Sequence, residues 1–242
     1  MHESGKMEDH LITSTMRNEE KKEAKETELE HYIVDFANAF IGGGVLYGGN
    51  CQEEILFCIY PECLVALLLC AKLEENEVIV IENVERFSNY LGYGDTLQYK
   101  ELEIKSKSAI VSNIVCMDAM VCFGENGNFI NQFESKRMLR ELNKAGVGFY
   151  LDGSKHIIVT GNWGCGAFGG NVQLKALLQL MTAAINGTTI EYYSLANAKV
   201  AKLKNVMEKF VENKYCVCDV WKILCNYDNQ SEADLFDFIL KA

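Results

Sequence analysis

Proline is almost missing from this sequence, with one residue in 242, against a hydrophobic share of 49%. That balance excludes a chain disordered throughout, and the length suits one large or two small domains with a proper core. Long apolar runs are missing too. The longest, Cys63 to Ala71, is far short of the roughly 20 residues that a membrane-spanning helix needs, so no membrane partner is expected. No basic start followed by an apolar segment opens the sequence, so a secretory signal is not expected and an intracellular setting is. Basic residues are the minority, 23 against 34 acidic, for a net charge of −11. Such a field repels polyanions, which argues against direct DNA or RNA binding. An anionic ligand would need backbone N–H groups and helix ends aimed at it locally.

The ten cysteines lack the context of a disulfide scaffold. Cys58, Cys63, Cys70, Cys116 and Cys122 sit inside apolar runs, where free cysteine behaves as a small buried hydrophobe, and without a signal peptide reduced thiols are expected. Cys216 and Cys218 form a C-x-C pair with no second pair and no nearby histidine, so no zinc site is expected.

Residues 1 to about 30 are polar and charge-dense and read as an exposed tail or frayed helix, with Leu11–Met16 as a short edge strand. From His31 the pattern changes to apolar segments alternating with glycine-rich breaks. Tyr32–Phe36 reads as a buried strand, followed by a glycine loop from Gly42 to Gly49. Asn50 is placed to cap a helix starting at Cys51, with Glu53 and Glu54 in the acid-favouring first turn. Pro61 opens a second helix to about Leu73. Val78–Ile81 and Ile110–Met117 are β-branched strands, Gln132–Ala145 is helical and ends near Gly146, and His156–Thr160 is a short strand. A second glycine loop, Gly161–Gly170, precedes a helix from Val172 to Ile185. A strand at Thr189–Ser194 follows, and the last 45 or so residues look wholly helical. Alternating strands and helices predict an α/β domain with a mixed or mostly parallel sheet.

Each glycine loop follows a strand and precedes a helix, the arrangement that lets consecutive N–H groups converge on a phosphate. Neither is a P-loop, because no Gly-Lys-Ser/Thr follows. Each alone could be a structural turn; two in one domain point to a diphosphate held between them. The adjacent carboxylates of Glu53 and Glu54 could be ordinary residues favoured by the helix dipole. Alternatively, they form a glycosidic acid/base site, in which one carboxyl protonates a leaving oxygen and later activates water.

Val34-Asp35-Phe36-Ala37-Asn38, then Gly42-Gly43-Gly44, then Gln52-Glu53-Glu54, closely resembles the signature of poly(ADP-ribose) glycohydrolases. The similarity runs on through Tyr90-Leu91-Gly92-Tyr93, Arg140-Glu141-Leu142-Asn143-Lys144-Ala145 and Thr160 to Gly170, covering roughly residues 32 to 225. The resemblance implies a macrodomain-like three-layer α/β fold, with a mixed central sheet and a helical C-terminus, over 31–242. It implies cleavage of ribose–ribose O-glycosidic bonds in poly(ADP-ribose), with ADP-ribose released, no cofactor and no metal, in the nucleus or cytoplasm. It assigns Glu54 as acid/base and Glu53 as its companion on the ribose hydroxyls. Asp35 and Asn38 support that pair and the ribose. Gln52, Gly42, Gly43 and Gly44 contact the scissile ribose and diphosphate, and Tyr93 contacts the ligand. Asn162, Trp163, Gly164, Cys165, Gly166 and Ala167 form the diphosphate loop, with Phe168 beside it; for Trp163 and Cys165 plain loop packing is the alternative. The family's helical segment ahead of the domain and its upstream adenine-contacting acidic motif are not recognised, and its adenine-stacking aromatic falls at Leu195, with Tyr193 as a substitute. A domain lacking its packed neighbour is expected to self-associate weakly. The competing readings are a macrodomain that binds ADP-ribose without cutting it and, on glycine loops alone, a dinucleotide-dependent oxidoreductase.

Overall fold

The structure, a computed structural model, describes residues 29–102, 110–124, 127–151, 153, 155–228 and 234–241. The tail expected over 1–30, except for its last two residues, and the strand expected at Leu11–Met16 lie outside the described residues.

A five-stranded sheet is built from β1 (Glu30–Ala37), β2 (Ile79–Glu85), β5 (Val111–Asp118), β6 (His156–Gly161) and β7 (Thr189–Tyr193), in the order β2-β5-β1-β6-β7. β1 runs parallel to both neighbours, with Asp35 opposite Cys116 of β5 and Ile33 opposite Val159 of β6. β6 and β7 are also parallel, whereas β2 pairs antiparallel with β5, so the sheet is mixed. A separate two-stranded ribbon, β3 (Asn89–Leu91) with β4 (Gln98–Lys100), lies between β2 and β5 in the chain.

Side chains alternate across the sheet because successive strand residues point to opposite faces. Tyr32, Val34, Val115, Met117, Ile158 and Ile190 join the larger buried cluster. That cluster takes most of its other members from α3 (Ser135–Tyr150), α4 (Val172–Asn186), α5 (Leu203–Glu212), α6 (Val217–Asn226) and α7 (Leu235–Lys241). Ala37, Ile114 and Cys116 face the other way, against Leu56, Phe57 and Ile59 of α1 (Gln52–Ile59), with Ile33 packed alongside. Helices therefore cover both faces in three layers, as expected for the macrodomain-like fold. Each fully buried Leu, Phe or Met contributes about 1.5–3 kcal/mol of transfer free energy.

Four expectations are corrected. After Pro61 the chain makes a 3-10 turn over Pro61–Val65 and then only a short α2 (Ala66–Leu69), rather than one helix to Leu73. α3 does not end at Gly146 but runs to Tyr150 and stops at Leu151, whose φ is +44°. Packing overrides the low helix propensity of glycine there: a Cβ on Gly148 would lie 3.0 Å from Met117 Sδ and 3.3 Å from Val115 Cγ1, so the bare backbone seats α3 on β5. Cys58 is exposed rather than buried, because α1 turns Ile55, Leu56, Phe57 and Ile59 inward. β2 starts one residue later than expected and reaches Glu85, with a register shift between Ile81 and Val84.

Candidate active site

The carboxyl ends of β1, β5, β6 and β7 lie at one end of the sheet. The chain leaving β1 goes to α1 on one face, and the chain leaving β6 goes to α4 on the other. Such a divergence opens a crevice at the strand ends, the usual ligand position in open α/β sheets. The pairing of β1 with β6 stops at Ile33. Beyond it the Gln52 side chain serves the strand backbone, its Oε1 accepting the Phe36 N–H at 2.8 Å and its Nε2 donating to Val34 O at 3.0 Å. Gln52 thus ties the start of α1 to β1 across the crevice.

The first glycine loop closes on the two glutamates. Glu53 accepts the N–H of Gly42 at 2.6 Å and of Asn38 at 2.9 Å. Glu54 accepts the N–H of Gly44 at 2.8 Å and of Cys51 at 2.9 Å. These contacts leave no room for a side chain at Gly43 or Gly49. A Cβ on Gly43, whose φ is +50°, would lie 2.6 Å from Glu54 Oε1 and 2.7 Å from Glu53 Oε2, and one on Gly49 would lie 2.7 Å from Glu54 Cγ. The cap of α1 is Cys51 rather than the expected Asn50: its side chain and the Glu54 carboxylate form a reciprocal capping box. Asn38 turns its own side chain back to accept the Phe40 N–H at 2.9 Å.

Asp35 lies on the α1 side of β1 and is wholly buried. Among the described residues neither of its oxygens has a hydrogen bond of ordinary geometry, although the Cys116 thiol is its register neighbour and interacts with it electrostatically. Burial, then the charge of Glu53, pushes its acid well above the usual carboxylate range. Glu53 is pushed up to about 7, mainly by burial; the Asn38 and Gly42 amides oppose the shift and Glu54 adds to it. Burial and the nearby Asp35 also raise the Cys63 and Cys116 thiols, Cys63 to about 12, which removes both as nucleophiles. Tyr93, half exposed in the turn between β3 and β4, meets the Cys51 side chain and the Gln52 N–H at the start of α1.

The second glycine loop is anchored from beneath. Trp163 is fully buried and donates its indole N–H to Met117 O at 2.9 Å, so its side chain packs under the loop instead of facing the crevice. Asn162 donates to Ser194 O and accepts from the Tyr192 hydroxyl, both at 3.0 Å, tying the loop to the end of β7. Gly164 has φ +71°, and a Cβ there would strike Ala119 Cβ at 2.4 Å. Cys165 has a thiol raised to about 12 by burial. Gly166 and Ala167 form the exposed tip, and Phe168 is half-buried, its carbonyl accepting the Cys122 N–H at 2.8 Å.

Sequence reasoning gave no role to the ion network below this loop. The Lys175 ammonium lies 4.2 Å from the centre of the Trp163 ring and contacts the Glu141 carboxylate. Glu141 also accepts from Arg140 at 2.6 Å and from the Met120 N–H at 3.0 Å. Arg140 and Lys144 each reach Asp118 at 2.6 Å. Burial, with a smaller push from the Arg140 charge, pulls the Lys175 ammonium down to about 7, and the Glu141 carboxylate against it favours the charged form. Three basic side chains thus share two carboxylates under the loop. A lysine in the apolar run Val172–Ala184 was the available signal.

A mixed sheet covered on both faces, with a glycine loop leaving each of two adjacent parallel strands and paired carboxylates held by the first loop, is the architecture of a macrodomain. The family model described as poly(ADP-ribose) glycohydrolase, macro domain fold, matches residues 3–202. The chain belongs to that family. It is 33% identical to poly(ADP-ribose) glycohydrolase 2 of Caenorhabditis elegans, over 85% of this chain and 46% of that protein. It is 35% identical to poly(ADP-ribose) glycohydrolase 1 of the same organism, over 73% of this chain and 25% of that protein. The chain therefore spans less than half the length of either relative. The poly(ADP-ribose) glycohydrolase of Deinococcus radiodurans, solved in complex with ADP-ribose, superposes with a TM-score of 0.48 at 16% identity, covering 76% of each chain.

Proposed function

We propose that this chain hydrolyses the ribose–ribose O-glycosidic bonds of poly(ADP-ribose) and releases ADP-ribose. The observation that carries the proposal is the pair of adjacent buried carboxylates at the start of α1, each held by two backbone N–H groups. The glycine loops grip the diphosphate through backbone N–H groups and set the ribose over the helix start. Glu54, protonated, donates to the leaving 2′-oxygen as the bond from the anomeric carbon breaks and oxocarbenium character develops. The ionised Glu54 then takes a proton from the attacking water, which adds to that carbon. Glu53 points about 100° away around the helix and holds ribose hydroxyls. With its acid raised to about 7, it is able to donate or accept at neutral pH, beside the buried Asp35. The scheme uses no metal and no thiol.

The polymer and ADP-ribose are the proposed ligands, in the nucleus or cytoplasm, with no direct binding of DNA or RNA. Weak self-association belongs to the proposal: Val65, Leu68 and Leu69 lie exposed together on the turn after α1, and light scattering across a dilution series would detect it. The activity itself is tested by incubating the purified chain with polymer of defined length and measuring ADP-ribose release. Tight binding of ADP-ribose without release would instead identify a non-catalytic binding module.

A further inference from the structure

Phe123 and Phe129 form an aromatic pair that the core does not use. Their ring centroids are 4.7 Å apart at 43°, yet Phe123 is 39% and Phe129 68% exposed. A small antiparallel pairing holds them, with Phe123 bridged to Phe129, Gly124 N–H on Asn128 O at 2.8 Å and Ile130 N–H on Cys122 O at 3.0 Å. The pair is attached to the second glycine loop. Cys122 N–H bonds Phe168 O at 2.8 Å, and the Gln132 amide spans Gly169 O and Asn171 N at 3.0 and 2.7 Å. A Cβ on Gly169 would lie 2.6 Å from Phe123 Cζ and 3.1 Å from Phe129 Cε1, so both rings rest against that glycine.

Topology gives the pair a direction. The crevice opens between β1 and β6, while Phe123 and Phe129 follow β5, on the opposite side of β1. A terminal sugar–diphosphate held by the second loop and ending at Glu54 runs from β6 toward β1. The portion beyond the scissile bond then continues toward β5. Every repeat of the polymer carries an adenine, a flat π-face, and aromatic side chains stack on such bases whatever their context.

We infer that Phe123 and Phe129 form a base-stacking subsite for the adenine on the leaving side of the scissile bond, an inference that rests on the proposed hydrolase function. The subsite would give the chain a grip on polymer that it does not have on free ADP-ribose.

The test is Phe123→Leu with Phe129→Leu, which keeps apolar bulk against Gly169 and removes the aromatic faces. Phe129→Trp serves as the variant that retains stacking, with thermal melts confirming folding. Expected are a roughly tenfold rise in KM for polymer, an unchanged kcat, an unchanged Kd for ADP-ribose, and near-wild-type behaviour of Phe129→Trp. An unchanged polymer KM in the double Leu variant overturns the subsite. A matching loss of ADP-ribose affinity overturns its leaving-side assignment and places the terminal adenine there instead. If the wild-type chain releases no ADP-ribose, the hydrolase reading fails. The subsite is then judged by the ratio of polymer to ADP-ribose affinity in the same variants, and an unchanged ratio rejects it.

Discussion

Glu54 accepts the backbone N–H of Gly44 at 2.8 Å, so the first residues of α1 and the loop ahead of them hold each other in place. The carboxylate is positioned by backbone rather than by other side chains. Its direction is therefore set by how closely the loop can approach, and glycine is what allows that approach.

Substituting the loop glycines should damage chemistry more than stability. Gly43→Ala and Gly49→Ala each add a methyl group inside van der Waals distance of a glutamate side chain. Displacing a reacting group by about 1 Å costs on the order of 100-fold in rate. We expect kcat to fall by about that factor in both, with a thermal midpoint near wild type for Gly49→Ala and a lower one for Gly43→Ala, whose φ of +50° disfavours any side chain. A normal kcat in both variants would show that the loop does not fix the carboxylates.

Glu53 makes stability depend on pH. Its folded value is raised from 4.5 to about 7, so the folded chain binds more protons than the unfolded chain between those values. The stabilising contribution is fully present below about 4.5 and is lost as pH rises through about 7; the raised Asp35 acts in the same direction. Thermal melts should therefore show a falling midpoint from about pH 5 to 8, and Glu53→Gln should flatten that fall. An equally steep fall in the variant would rule out Glu53 as a source.

Lys175→Met should be severely destabilising. It leaves the buried Glu141 carboxylate with Arg140 alone of its two cations and removes the cation over Trp163. Breaking one partner of a buried pair typically costs about 3–5 kcal/mol, readable by urea denaturation. Because Trp163 and Gly164 open the second loop, the folded fraction should also bind ADP-ribose more weakly. Wild-type stability would mean that the network contributes little.

Much of this was legible because its signals are local. The strand at Tyr32–Phe36, both glycine breaks and the adjacent Glu53 and Glu54 stand out within short windows, and the long ordered resemblance supplied their roles. What was not legible depends on contacts distant in sequence. α3 continues past Gly146 because Gly148 meets Met117 and Val115, and the ion network joins residues from β5, α3 and α4. The β3–β4 ribbon is short and mostly exposed, so it carries no alternation to detect. The cap at Cys51 was missed because a thiol is not among the usual capping side chains, and Cys58 because an apolar run does not reveal which residue the helix turns outward.

The central claim is that Glu54 is the proton donor and acceptor for glycosidic cleavage, and Glu54→Gln tests it most directly. The amide keeps the size of the side chain and one of its two backbone contacts but cannot cycle a proton. Polymer cleavage should fall by about 100-fold or more, while the Kd for ADP-ribose, measured calorimetrically on the same preparation, stays within about tenfold. Near-normal release of ADP-ribose by Glu54→Gln would contradict the account.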